Sequence, residues 1–204
     1  MLYAILQVFF RLYFKLFFRA EIIGKENVPE EGAVILAANH MSNWDPPFLA
    51  CFLSRTVSYM AKQELFENPV FGAAITNCHA FPVKRGAADR GAIKTAIQVL
   101  KQGNCLGLFP EGTRSHGGQM HKAEAGVGLI AAKTNAPVVP TAIIGTDRIM
   151  TNGGIFPKLT LIYGKPMRFE GNAREKEELE AFSQAILDRI ADMKEKRTEI
   201  DTPS

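Results

Sequence analysis

A chain of 204 residues has room for one domain with a substantial core and too little for two. Its composition, 47% hydrophobic and 22% charged, is not that of a disordered segment, and a net charge of +3 does not by itself imply nucleic acid. Three cysteines, Cys51, Cys78 and Cys105, are odd in number, far apart and set in apolar surroundings, which argues against a disulfide framework or metal knuckle and for buried free thiols in a reducing cytoplasm.

Residues 1–20, MLYAILQVFFRLYFKLFFRA, are aromatic and aliphatic, broken only by Gln7, Arg11, Lys15 and Arg19. These four recur every fourth residue, so on a helix they form one narrow stripe, with Leu6, Phe9, Phe10, Tyr13, Leu16 and Phe17 on the other side. The cations lie inside the apolar run and no small-residue cleavage site follows, unlike a secretory signal. A spanning helix would need about 20 apolar residues. It would also hold Arg11 and Lys15 near the bilayer centre, at roughly 2.5 to 3.5 kcal/mol each. A helix lying in the interface avoids that cost, aromatics in the acyl boundary and cations among headgroups. The expected organisation is therefore an amphipathic membrane-interface helix over 1–24, a domain over 25–197 and a flexible tail over 198–204. The plainer alternative is an amphipathic helix packed on the domain.

Residues 33–38 read as a buried strand after the turn VPEEG. Asp45-Pro46-Pro47 resembles a helix start, with Asp as N-cap and Pro in the first turn. Further strands are expected over 57–61, 79–83, 105–109, 138–144 and 159–163. Helices are expected over 64–75 (interrupted or restarted at Pro69), 89–101, 125–134 and 174–197, the last with Leu179, Phe182, Ile186, Ile190 and Met193 as its buried stripe. Strands alternating with helices predict an α/β fold, a mixed sheet flanked by helices.

Three polar blocks follow strand ends. The first is Asn39-His40-Met41-Ser42-Asn43-Trp44-Asp45. Residues five apart on a helix are about 140° apart, so His40 and Asp45 meet only if 41–44 form a turn. His40 would then act as a base, with Asp45 fixing its tautomer. No serine or cysteine stands in an obvious nucleophile setting, so the attacking hydroxyl would come from a substrate. Alone, the pair is equally compatible with a helix cap and a structural histidine. The second block, Phe81-Pro82-Val83-Lys84-Arg85-Gly86, puts two cations before a helix start, either a solvated basic turn or a phosphate clamp. The third, Phe109-Pro110-Glu111-Gly112-Thr113-Arg114-Ser115, puts a carboxylate, a guanidinium and hydroxyls at the sheet edge, where α/β folds bind ligands; a local Glu111–Arg114 ion pair is the alternative.

NHMSNWD resembles the NHxSxxD, or Hx4D, signature of the glycerolipid acyltransferase family that includes bacterial 1-acylglycerol-3-phosphate acyltransferases. FPVKRG, FPEGTRS and APVVPTAIIGT are similar to that family's second, third and fourth blocks, in family order over about residues 30–170. The chain departs from many relatives in carrying Lys84, an added positive charge. The resemblance implies His40 as general base and Asp45 as its orienting partner. It implies Arg85, Lys84, Glu111, Gly112, Thr113, Arg114 and Ser115 around a phosphate-bearing acceptor, with acyl-CoA or acyl-carrier protein as donor. The implied reaction acylates the sn-2 hydroxyl of lysophosphatidic acid to give phosphatidic acid at the cytoplasmic face of the cell membrane, peripherally or monotopically. No cofactor, metal or nucleic-acid partner is expected. Alternatives are another acceptor (glycerol-3-phosphate or a different lysophospholipid), a non-catalytic lipid-binding module, or a His/Asp metal phosphoesterase. The last is disfavoured because only His116 and His121 flank a glycine-rich loop, away from His40.

Overall fold

The computed structural model describes residues 2–84, 89–114, 123–151 and 155–201. Helices are α1 (Leu2–Phe18), α2 (Asp45–Cys51), α3 (Pro69–Asn77), α4 (Arg90–Lys101), α5 (Gly126–Thr134) and α6 (Lys176–Asp201). Strands are β1 (Glu21–Ile23), β2 (Val34–Ala38), β3 (Val57–Lys62), β4 (Ala80–Val83), β5 (Cys105–Leu108), β6 (Val138–Ile144) and β7 (Thr160–Tyr163). They form a seven-stranded sheet in the order β1-β7-β6-β2-β5-β3-β4. It is parallel from β6 to β4, with β7 antiparallel to β6 and β1 running with β7. The expected mixed sheet flanked by helices is the fold observed.

β2 lies at the centre of the sheet. Both its faces are covered, which is why VILAA is a continuous apolar run rather than an alternating one. Val34, Leu36 and Ala38 pack with α1 and α2 into one core, whereas Ile35 and Ala37 join α4, α5 and α6 in the other. The apolar stripe of α6 does this packing, with Leu179, Ile186 and Ile190 buried and Phe182 and Met193 against the same core. α6 runs on to Asp201, so residues 198–201 are helical where a loose tail was expected. Arg197 explains part of the extension. Its guanidinium donates to both Glu21 carboxylate oxygens, at 3.0 and 2.6 Å, and Lys158 adds a 3.0 Å contact.

The amino-terminal helix differs from expectation in its orientation. Gln7 Nε2 donates to Leu53 O, and Arg11 donates to Cys51 O at 2.8 Å and to Leu53 O at 3.1 Å. Half of the polar stripe is thus spent on carbonyls at the carboxyl end of α2, where cations are favoured. Phe14 and Phe18 are fully buried against α2, and Phe10 and Tyr13 pack on the same core. Lys15 and Arg19 remain exposed. The outward face is apolar: Ile5, Val8, Phe9, Leu12, Leu16 and Phe17 are all exposed, Leu16 by 73%. The seam drawn near residue 24 falls inside the sheet, because β1 pairs with β7 through Glu21, Ile22 and Ile23. Among the described residues no helix is long and apolar enough to cross a membrane.

Candidate active site

Because β2, β5 and β6 are parallel neighbours, their carboxyl ends deliver three separate loops to one place. β2 ends at Ala38 and releases Asn39 and His40. Residues 41–44 turn, and α2 starts at Asp45. His40 Nδ1 lies 2.8 Å from Asp45 Oδ2, so the intervening turn does bring the pair together. The sequence assigned Asp45 as an N-cap; instead it is the first residue of α2, and no side chain caps that helix. Its fully buried carboxylate turns back toward the loop. Oδ2 accepts from Met41 N at 2.6 Å and Ser42 N at 2.7 Å as well as from His40, and Oδ1 accepts from Thr146 Oγ1 at 2.6 Å. An ionised carboxylate only accepts, so Nδ1 carries the proton and the lone pair resides on Nε2. That is the tautomer a base requires.

The third block supports the loop from beneath. Glu111, expected in the acceptor site, is buried, and its Oε1 accepts the His40 backbone N–H at 3.0 Å. Gly112 sits in the left-handed region at φ 66°, a backbone conformation that favours glycine, with the Glu124 carboxylate beside it. Thr113 and Arg114 are exposed, and Arg114 Nη1 donates to Asn43 Oδ1 at 3.3 Å. Glu111 and Arg114 thus engage the dyad loop, and no ion pair between them is formed.

The second block stands apart. Lys84 is exposed at the end of β4, and its backbone N–H donates to Asp89 Oδ2, while Asp89 Oδ1 caps α4 through Ala92 N. These backbone donors hold the Asp89 carboxyl below its ordinary range. β4 is three strands from β2, about 14 Å at normal strand spacing. Lys84 therefore shares the sheet edge with His40 without touching the dyad. Arg85 and Ser115, like His116 and His121, lie outside the described residues. Among the described residues no cluster of three metal-ligating side chains occurs.

Several supporting groups escaped the sequence reading. Asn39 clips the loop to β6: Nδ2 donates to Ile143 O at 2.9 Å and Oδ1 accepts from Ile143 N at 2.8 Å. Phe109 stacks on the His40 ring with centroids 4.1 Å apart, a face that favours an imidazolium. Tyr59 stacks on Phe109 in turn and donates to Pro46 O at 3.0 Å; burial pushes its phenol well above the ordinary value, so it stays a donor. The Tyr59 ring lies where a side chain at residue 107 would be, which explains the glycine in CLGLF. Trp44 stacks on Tyr13 and meets Phe14 edge-on, joining the dyad loop to α1. Asn39 and Thr146 lay within blocks one and four; only their roles were missed. The cysteines divide: burial pushes the Cys51 and Cys105 thiols up to about 12, whereas Cys78 is only half-buried.

A profile of the family described as Acyltransferase matches residues 19–144. The 1-acyl-sn-glycerol-3-phosphate acyltransferase of Bacillus subtilis is 34% identical over 182 residues, covering 86% of this chain and 88% of the relative. Its Pseudomonas aeruginosa namesake is 36% identical over 127 residues, 61% of this chain and 49% of the relative. The crystal structure of the 1-acyl-sn-glycerophosphate acyltransferase PlsC from Thermotoga maritima superposes with a TM-score of 0.76 at 30% identity, over 94% of this chain and 79% of that one. The profile spans more than half of the chain and the Bacillus subtilis relative most of it, so the chain belongs to the Acyltransferase family.

Proposed function

We propose that the chain transfers a fatty acyl group from acyl-CoA or acyl-carrier protein to the sn-2 hydroxyl of lysophosphatidic acid, forming phosphatidic acid. The observation that carries this reading is the 2.8 Å His40–Asp45 contact, with Asp45 saturated by donors on both oxygens. Nε2 of His40 removes the acceptor's hydroxyl proton as that oxygen attacks the thioester carbonyl carbon. The carbon–sulfur bond then breaks, and the imidazolium returns the proton to the leaving thiolate. Asp45 balances the charge on the imidazolium throughout. Arg114, Lys84 and Arg85 supply cations for the acceptor phosphate, with Gly112, Thr113 and Ser115 supporting the acceptor site. Glu111 contributes by holding the loop. No cofactor enters the step.

The apolar outward face of α1 supports membrane attachment at the cytoplasmic leaflet, Ile5, Val8, Phe9, Leu12 and Leu16 entering the acyl boundary with Lys15 and Arg19 at the headgroups. Deleting α1 would uncover Phe14 and Phe18, so point changes test this better. The decisive assay offers one labelled acyl-CoA to lysophosphatidate, glycerol-3-phosphate and lysophosphatidylcholine. Lysophosphatidate should be preferred and His40→Ala should abolish transfer without changing vesicle binding. Preference for either other acceptor refutes the substrate assignment, and unchanged transfer by His40→Ala refutes the base. Leu12→Glu/Leu16→Glu should release the protein from anionic vesicles with its fold intact; full co-sedimentation would refute the interfacial role.

A further inference from the structure

Lys194, on the last turns of α6, reaches the dyad loop from a part of the chain that none of the four sequence blocks includes. Its Nζ lies 3.9 Å from Met41 Sδ, and Met41 is the residue between His40 and Ser42 whose N–H holds Asp45 Oδ2. The side chain is half-buried, yet among the described residues no carboxylate approaches its ammonium within 4.0 Å. Other cations of that helix do find acids: Arg197 binds Glu21, and Lys196 binds Asp192 at 2.9 Å. A thioether is a poor partner for an ammonium, and removing a charge from water without a counter-ion is unfavourable. Arg114 meets the same loop two residues further on, at Asn43. Two cations, from positions 71 and 153 residues away in sequence, therefore converge on the turn between His40 and Asp45.

We propose that Lys194 binds a phosphate group of one of the two substrates beside the dyad. This rests on the acyl-transfer reading above. Both substrates carry such a group, the acceptor as its headgroup and the donor in its phosphopantetheine arm, and the cations at Met41 and Asn43 provide one for each. The ammonium positions its substrate and takes no part in proton transfer.

The test uses the full chain with Lys194→Met, which keeps the aliphatic stem against Met41 and removes only the charge, and Lys194→Arg, which keeps the charge. KM for lysophosphatidate and for acyl-CoA is measured with the other substrate saturating, and the thermal midpoint is recorded. Lys194→Met should raise one KM about tenfold, the loss of one charge-assisted bond to phosphate, with kcat within about twofold. Lys194→Arg should stay within about threefold of wild type. A rise confined to lysophosphatidate assigns the acceptor phosphate. A rise confined to acyl-CoA, and missing when an acyl N-acetylcysteamine thioester without phosphates is the donor, assigns the pantetheine arm. Unchanged KM values for both substrates, or the same loss in Lys194→Arg as in Lys194→Met, overturn the proposal while leaving the dyad reading in place. A wild-type protein that acylates no phosphate-bearing acceptor overturns that underlying reading instead.

Discussion

Thr146 offers the sharpest test of how the dyad is held. Its Oγ1 donates to Asp45 Oδ1 at 2.6 Å, inside the protein, and is the only partner of that oxygen among the described residues. Thr146→Val preserves the shape of the side chain but replaces the hydroxyl with a methyl. The other three donors, Met41 N, Ser42 N and His40 Nδ1, all converge on Oδ2, so nothing else fixes the rotation of the carboxylate plane. A hydrogen bond to a charged group contributes about 1.5–3 kcal/mol. If that loss is felt where the imidazolium forms, kcat falls roughly ten- to a hundredfold, since about 1.4 kcal/mol is one decade. KM should barely move, because Thr146 lies beneath the carboxylate rather than in the cleft. Steady-state kinetics of Thr146→Val and Thr146→Ser, with thermal melting of each, separate the effects: the serine variant keeps the donor and should stay within about threefold. A valine variant with kcat within twofold of wild type would refute the claim that Oδ1 needs this donor.

Asn39→Leu leaves the N–H and C=O of Ile143 without their side-chain partner in the core, each at about 1–3 kcal/mol, and should lower the unfolding free energy by about 3 kcal/mol in urea titrations. A native protein treated with a thiol reagent at pH 8 should label Cys78 well before Cys51 or Cys105, whose thiols burial holds up at about 12; peptide mapping that finds equal labelling would contradict the assigned burial. Hydrogen bonds from Lys158 and then Arg197 hold the Glu21 carboxyl below its ordinary value. A depressed folded value stabilises the protein above the unfolded value and loses that stabilisation as pH falls through the folded one. Wild type should therefore lose more stability than Glu21→Gln on acidification below the ordinary glutamate range, and parallel losses would show the clamp to be inert.

The parts legible in the sequence were those whose causes are local. β2 and β6 are apolar runs because both faces are covered, and α4 and α6 announce themselves through periodic stripes. The dyad and the Glu111–Arg114 turn were legible because their residues are contiguous. What stayed hidden depends on partners far along the chain. Thr146 is 101 residues from Asp45, and Asn39 is 104 from Ile143. Capping preferences read Asp45 as an N-cap, but three donors from its own loop and one from Thr146, far along the chain, outweigh that role. Periodicity located the polar stripe of α1 without saying which side meets the domain; the carbonyls ending α2 decide that by capturing Gln7 and Arg11. β1 is three residues long and adjoins an apolar helix, which leaves no pattern to detect.

The loop that carries His40 is tied to three strands at once: to β2 by the chain itself, to β6 through Asn39, and to the end of β5 through Glu111. Such a loop frays less readily than one held only at its ends, because several ties must be released together. Amide exchange at Met41 and Ser42, whose protons are held by Asp45, should therefore be slow, in contrast to the fast exchange usual in surface loops. Activity and folded fraction should disappear together on heating. In that respect the catalytic turn behaves as part of the core while standing at its edge.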